Sequence, residues 1–190
     1  AGDIKYDTGS VGPIGVISNM NVIGHAQPKF FGGFTNTFAY KNFTLTALMT
    51  FSYGNDLLFQ LNNSNRMVNS VANKGIGILG RWTPGKTSSD RERLIWGNTA
   101  FTNQLDVFDA SYLKLRSLTL GYDLPKALVD KMKLRNASCY ISATNIFTIT
   151  NYPGLDPEVS DNPLSIIGGS RDVSGYPTTR EFTFGIRLGL

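Results

Sequence analysis

The chain has one cysteine, one histidine, few charges and no long apolar run. A single Cys139 rules out an internal disulfide, and its position on the apolar parity of a strand suits a small packed residue. The lone His25, between Gly24 and Ala26, leaves zinc sites and Ser-His-Asp chemistry without a ligand set, so neither a metal nor a cofactor is expected. Nowhere do about eighteen apolar residues follow one another, so no stretch reads as a transmembrane helix. Charged residues make up only 17% of the chain, and its net charge of +4 is spread thinly. Lys126, Lys131, Lys133 and Arg135 form the one local basic cluster. Nucleic-acid binding needs a basic stripe interleaved with aromatics, and none is present. Gly32-Gly33 and Gly168-Gly169 precede no helix carrying Lys-Ser/Thr, which excludes phosphate loops. The opening residues, Ala1-Gly2-Asp3-Ile4-Lys5-Tyr6-Asp7, do not read as a cleavable signal, so an export signal is expected on sequence beyond them.

Glycine (20 residues) and aromatics (12%) are plentiful, with Thr, Ser and Asn between them. That balance fits many short alternating strands joined by polar turns. The segment from Glu181 onward shows it best. Phe182, Phe184, Ile186, Leu188 and Leu190 share one parity, and Glu181, Thr183, Gly185, Arg187 and Gly189 the other. Successive side chains of a strand point to opposite faces, so one face is apolar and the other polar or small. A strand of about nine to eleven residues spans a bilayer, and one that finishes flush on its apolar face is how outer-membrane barrels end.

Four further segments alternate, giving expected strands at 29–40, 43–53, 111–124, 137–150 and 180–190. Phe43, Leu45, Met49 and Phe51 oppose Thr44, Thr46 and Thr50, and residues 41–42 make a hairpin turn. In the third segment Leu113 and Leu115 lie on one parity, Leu118, Leu120 and Tyr122 on the other. Either a β-bulge near Arg116-Ser117 restores the facing, or the upper part stands outside the membrane. Pro125 opens a short helical stretch in the next connection. The connections alternate short, long, short, long, as in outer-membrane barrels with short periplasmic turns and long extracellular loops. The extracellular loops are then 54–110 and 151–179, rich in turn residues such as Pro84-Gly85 and Pro153-Gly154. Five strands cannot close a membrane barrel, for which about eight is the minimum. The expected fold is therefore all-β, the C-terminal five strands of a large antiparallel transmembrane barrel.

Residues 109–125, Asp-Ala-Ser-Tyr-Leu-Lys-Leu-Arg-Ser-Leu-Thr-Leu-Gly-Tyr-Asp-Leu-Pro, resemble a signature near the end of SusC/RagA-type TonB-dependent transporters, nutrient importers of Bacteroidetes outer membranes. The resemblance continues through Asn-Ile-Phe-Thr-Ile-Thr-Asn-Tyr-Pro-Gly-Leu-Asp-Pro-Glu-Val-Ser at 145–160 and Tyr176-Pro177. Val22-Ile23-Gly24, Pro28-Lys29-Phe30 and Ser52-Tyr53-Gly54-Asn55 match upstream. Two departures stand out. Leu190 occupies a place that is usually aromatic, and Thr8-Gly9-Ser10-Val11-Gly12-Pro13 lacks the acidic ligands of a calcium loop. The resemblance implies a barrel of about twenty-two strands with an N-terminal plug that lies outside this chain. It also implies a SusD-like lipoprotein partner, energy from TonB through the plug, and uptake of oligosaccharides or peptides.

On that topology Thr44, Thr46, Thr50, Ser142, Thr144, Glu181, Thr183 and Arg187 face the lumen, where the ordinary role is to meet water or plug. Trp82, Trp96, Phe101, Tyr152 and Tyr176 lie in the long loops and are the candidates for stacking on a ligand. Pinning the loops or touching a lid protein is the plainer role for them. Asp156 and Glu158 invite a glycosidase reading, but Pro157 between them favours a structural loop motif. No catalytic constellation is present, so the chain is not expected to be an enzyme. The alternatives are a soluble all-β carbohydrate-binding module and a passive structural barrel. Parity separates the first from a transporter, because a sandwich buries its apolar faces against each other and a barrel turns them to lipid.

Overall fold

The computed structural model describes residues 22–62, 73–89, 91–94, 104–160 and 170–189. The chain divides into two units, one comprising 27–55, 109–158 and 176–190, the other 1–26, 56–108 and 159–175.

The first unit is a five-stranded antiparallel sheet. Its strands are β1 (Phe30–Tyr40), β2 (Phe43–Tyr53), β5 (Tyr112–Asp123), β6 (Asn136–Thr150) and β8 (Glu181–Gly189), and they pair in that order. Each has at least the nine or so residues a tilted strand needs to cross a bilayer. Lys41, at φ 53°, turns β1 into β2. The Asn42 side chain donates to the Asp123 carbonyl at 2.8 Å, which ties that turn to the foot of β5. Between β5 and β6 a short helix, α1 (Lys126–Lys131), starts after Pro125, where a missing backbone donor costs nothing.

Register makes the two faces continuous. Tyr40, Phe43, Tyr122, Cys139 and Ile186 form one row, and Phe38, Leu45, Leu120, Ile141 and Phe184 the next. On the opposite face Thr37, Thr46, Thr119, Ser142 and Thr183 form a hydroxyl row. The slip in β5 is a bulge. Leu48 pairs with Ser117 and Met49 with Leu115, leaving Arg116 as the extra residue. On the other side Leu115 pairs with Phe147 and Ser117 with Thr144, and Asn145 takes φ 50°. Leu113 and Leu115 thereby rejoin the face of Leu118 and Leu120. The apolar face is open: Phe38, Phe182, Phe184, Ile186 and Leu188 are all exposed. An apolar patch that wide marks a lipid or protein contact rather than ordinary soluble surface.

The second unit is built from the long connections, which carry more regular structure than their turn-rich composition suggests. β3 (Asp56–Phe59), β4 (Val107–Asp109) and β7 (Arg171–Asp172) form a small sheet in the order β4-β3-β7. β3 and β7 run parallel, with Leu58 opposite Arg171 and Phe59 opposite Asp172. The Ser170 hydroxyl donates to the Asp56 carbonyl at 3.0 Å, and the Asp56 carboxylate accepts the His25 N–H at 2.8 Å. Two 3-10 turns lie at Ile76–Gly80 and Gln104–Asp106.

Candidate functional site: a charge cluster on the polar face

All eight side chains expected on the lumen side stand on one face. Thr44 shares a row with Gly121, Tyr140 and Gly185, and Thr144 pairs with both Ser117 and Glu181. Arg187 lies over the Tyr140 ring, its guanidinium 4.8 Å from the centroid, which places it among the hydroxyls rather than the aliphatic side chains. Thr50, opposite Lys114, leads into a cluster of charged side chains.

Lys114 is 1% exposed, an expensive place for an ammonium unless acids surround it. Its Nζ donates to Asp156 Oδ1 at 3.1 Å, Asp156 Oδ2 at 3.2 Å, Glu158 Oε2 at 2.5 Å and Thr178 Oγ1 at 3.4 Å. Arg116, turned to this face by the bulge, donates through Nε to Thr50 Oγ1 at 3.3 Å and through a terminal nitrogen to Glu158 Oε1. The Tyr112 hydroxyl donates to the same Oε1 at 2.7 Å. Two cations from the wall thus meet two carboxylates from the following loop, and the buried charge is balanced.

The loop braces itself as well. The Glu158 N–H donates to Asp156 Oδ1 at 3.1 Å, while the Thr178 hydroxyl and N–H donate to Oδ2 at 2.7 and 3.3 Å. Burial pushes the Asp156 pKa up, but the donors from Thr178, Glu158 and Lys114 outweigh it and hold the carboxyl below its ordinary value. Both carboxylates are saturated by fixed donors, which suits a latch and leaves no free acid-base pair.

The loop aromatics separate. Tyr176 is 87% exposed. Tyr152, expected as a ligand contact, is instead 5% exposed. Its ring covers Gly154 so closely that a Cβ there would fall 2.3 Å from it. Trp82, in the unit of the long connections, is half-buried, and its backbone N–H donates to the Arg91 carbonyl at 3.0 Å. Trp96 and Phe101 lie outside the described residues. Lys114, Tyr112 and Thr178 are not among the candidates read from sequence, and Arg116 is named there only for the bulge. The alternation Leu113-Lys114-Leu115-Arg116 was the available signal, since it sets two cations on the polar positions of one strand, where acids are the natural partners.

No family model matches the chain. The TonB-dependent receptor P3 of Formosa agariphila is 30% identical over an alignment of 191 residues, covering 98% of this chain and 19% of that protein. The TonB-dependent receptor SusC of Bacteroides thetaiotaomicron is 25% identical over 158 residues, covering 82% of this chain and 14% of that protein. Among solved structures, the RagAB peptide transporter superposes with a TM-score of 0.75 at 26% identity, over 88% of this chain and 18% of its own. The RagAB peptide importer in its open-open state gives 0.71 at 27% identity, over 87% and 17%. The chain therefore spans less than a fifth of the length of these relatives. They are receptors and transporters, not enzymes. This chain is a homologue of part of the SusC/RagA-type TonB-dependent outer-membrane transporters, and its five-stranded sheet is a portion of such a barrel.

Proposed function

We propose that the chain forms part of the wall of an outer-membrane nutrient importer. The observation that carries this reading is the apolar face, five strands wide and interrupted by one polar side chain, Asn36 of β1, set back to back with a hydroxyl-rich one. The apolar face meets lipid. Thr44, Thr46, Thr50, Ser142, Thr144, Glu181, Thr183 and Arg187 face the lumen. Residues 54–110 and 151–179 are extracellular, and the turns at 41–42 and 124–135 are periplasmic. β1 and β8 pair with further strands of the same barrel, because an open edge in hydrocarbon would leave its peptide groups unsatisfied.

Import is of oligosaccharides or peptides, driven by TonB through an N-terminal plug outside this chain and shared with a SusD-like surface lipoprotein. The similarity to a peptide importer, RagAB, favours peptides. Tyr176, with Trp82, Trp96 and Phe101, supplies ring faces for ligand or lid, and the Lys114 latch holds the loop that carries Tyr176.

The test uses the full-length protein with Cys139→Ser, carrying one bimane-labelled cysteine at Phe184 or at Thr183, in bilayers of brominated phospholipid. Quenching at 184 and not at 183 supports the reading. Equal quenching, or recovery of the protein in a soluble fraction without detergent, overturns it. Uptake of peptide and oligosaccharide mixtures by cells with and without the gene then names the substrate class.

A further inference from the structure

At the α1 end of the sheet the apolar face finishes in a row of rings, and cations follow. Tyr40, Phe43 and Tyr122 are register partners, and the Phe43 and Tyr122 centroids are 4.6 Å apart. A band of aromatic rings at the rim of a lipid-facing surface sits at headgroup level. Beyond it Lys126, Lys131, Lys133 and Arg135 are exposed, with no ion-pair partner among the described residues. The acids of the segment, Asp123 and Asp130, are outnumbered.

Two apolar side chains stand among these cations. Leu128 and Met132, one helical turn apart, are each about half exposed, while α1 buries Val129. The segment is firmly seated. The Leu124 N–H donates to the Ala137 carbonyl at 2.9 Å, and the Arg135 N–H to the Gly189 carbonyl at 2.8 Å. Leu128 and Met132 give this turn a small apolar surface set between its cations. Cations flanking a shallow apolar pair, just outside an aromatic band, match a phosphate layer over acyl chains.

We infer that this foot binds anionic glycerophospholipid. The phosphodiesters engage Lys126, Lys131, Lys133 and Arg135, and Leu128 and Met132 enter the upper acyl region. The inference rests on the lipid-facing reading of the sheet. It commits to phospholipid rather than lipopolysaccharide because the short-turn end is then periplasmic.

The experiment takes the full-length protein, delipidated in detergent, and titrates it with dioleoyl phosphatidylglycerol, dioleoyl phosphatidylcholine or lipopolysaccharide, counting bound lipid by native mass spectrometry. Wild type is compared with a quadruple variant, Lys126→Gln, Lys131→Gln, Lys133→Gln and Arg135→Gln, and with Leu128→Ser/Met132→Ser. Phosphatidylglycerol should bind in excess of phosphatidylcholine, and that excess should fall on the order of tenfold in the quadruple variant and in high salt. Equal binding of the two phospholipids, or an excess that survives the quadruple change, overturns the inference. So does loss of lipopolysaccharide alone, which would also reverse the topology. The gel mobility of the folded barrel checks that each variant assembles. Failure of the barrel reading itself shows separately, as protein that leaves the membrane without detergent.

Discussion

The ring of Tyr140 lies across Gly185, its register partner on β8, so closely that a Cβ on Gly185 would be 2.3 Å from the Cε1 and Cζ atoms of that ring. Glycine in a strand costs conformational entropy, and here the missing side chain is the space the tyrosine fills. The Arg187 guanidinium also packs on this ring, 4.8 Å from its centroid. A double-mutant cycle isolates this. Gly185→Ala should destabilise the full-length barrel by about 1 kcal/mol, because the ring must leave its place. In a Tyr140→Ala background the same change should be neutral or stabilising by roughly 0.5 kcal/mol. Urea unfolding followed by gel mobility reads both, and the same sign in both backgrounds would remove the ring from the explanation.

Lys114→Ala leaves Asp156 buried beside no primary cation. Removing one partner of such a pair costs about 3–5 kcal/mol, far more than losing an exposed bridge. Residues 151–158 should become cleavable by protease while the strands remain intact. Lys114→Arg should restore part of the protection, and an uncleaved loop in Lys114→Ala would show that the latch is not what holds it.

The depressed Asp156 pKa has a definite consequence with pH. A carboxyl whose folded value lies below its unfolded value contributes stability above the unfolded value, ordinarily 3.8, and that contribution is lost as pH falls through the folded one. The protection factors of the Glu158 and Thr178 amides, both of which donate to Asp156, should therefore be high near neutrality and fall below about pH 4, once the intrinsic exchange rate at each pH is divided out. Asp156→Asn should flatten that dependence.

A charge scan across β8 checks which face meets lipid. Phe184→Arg should cost roughly 2–4 kcal/mol or block assembly, whereas Thr183→Arg should cost little. The fraction of folded protein recovered from outer membranes measures it. Equal penalties at both positions would count against the lipid-facing assignment.

The strands were readable because period-two alternation reports directly on faces, and even the bulge showed in the change of parity between Leu115 and Leu118. Pro125 marked the short helix for a steric reason that needs no tertiary information. The latch was hidden because Lys114 and its carboxylates are about forty residues apart in sequence, beyond any local pattern. β4 and β7 are too short to alternate at all, at three and two residues. Tyr152 looked like any loop aromatic, and its burial depends on Gly154 leaving room for the ring.

The division of charge in the cluster also limits how this region can be rebuilt. Lys114 and Arg116 belong to the wall, while Asp156, Glu158 and Thr178 arrive on the segments that cross over it. A loop grafted from another transporter to change what the pore admits is therefore not an independent cassette. Unless the transplant brings two acids at matching positions, the recipient strand is left with a buried ammonium that no carboxylate compensates. Swaps intended to alter cargo should carry residues 112–116 together with 151–158 and 176–179, as one heritable block.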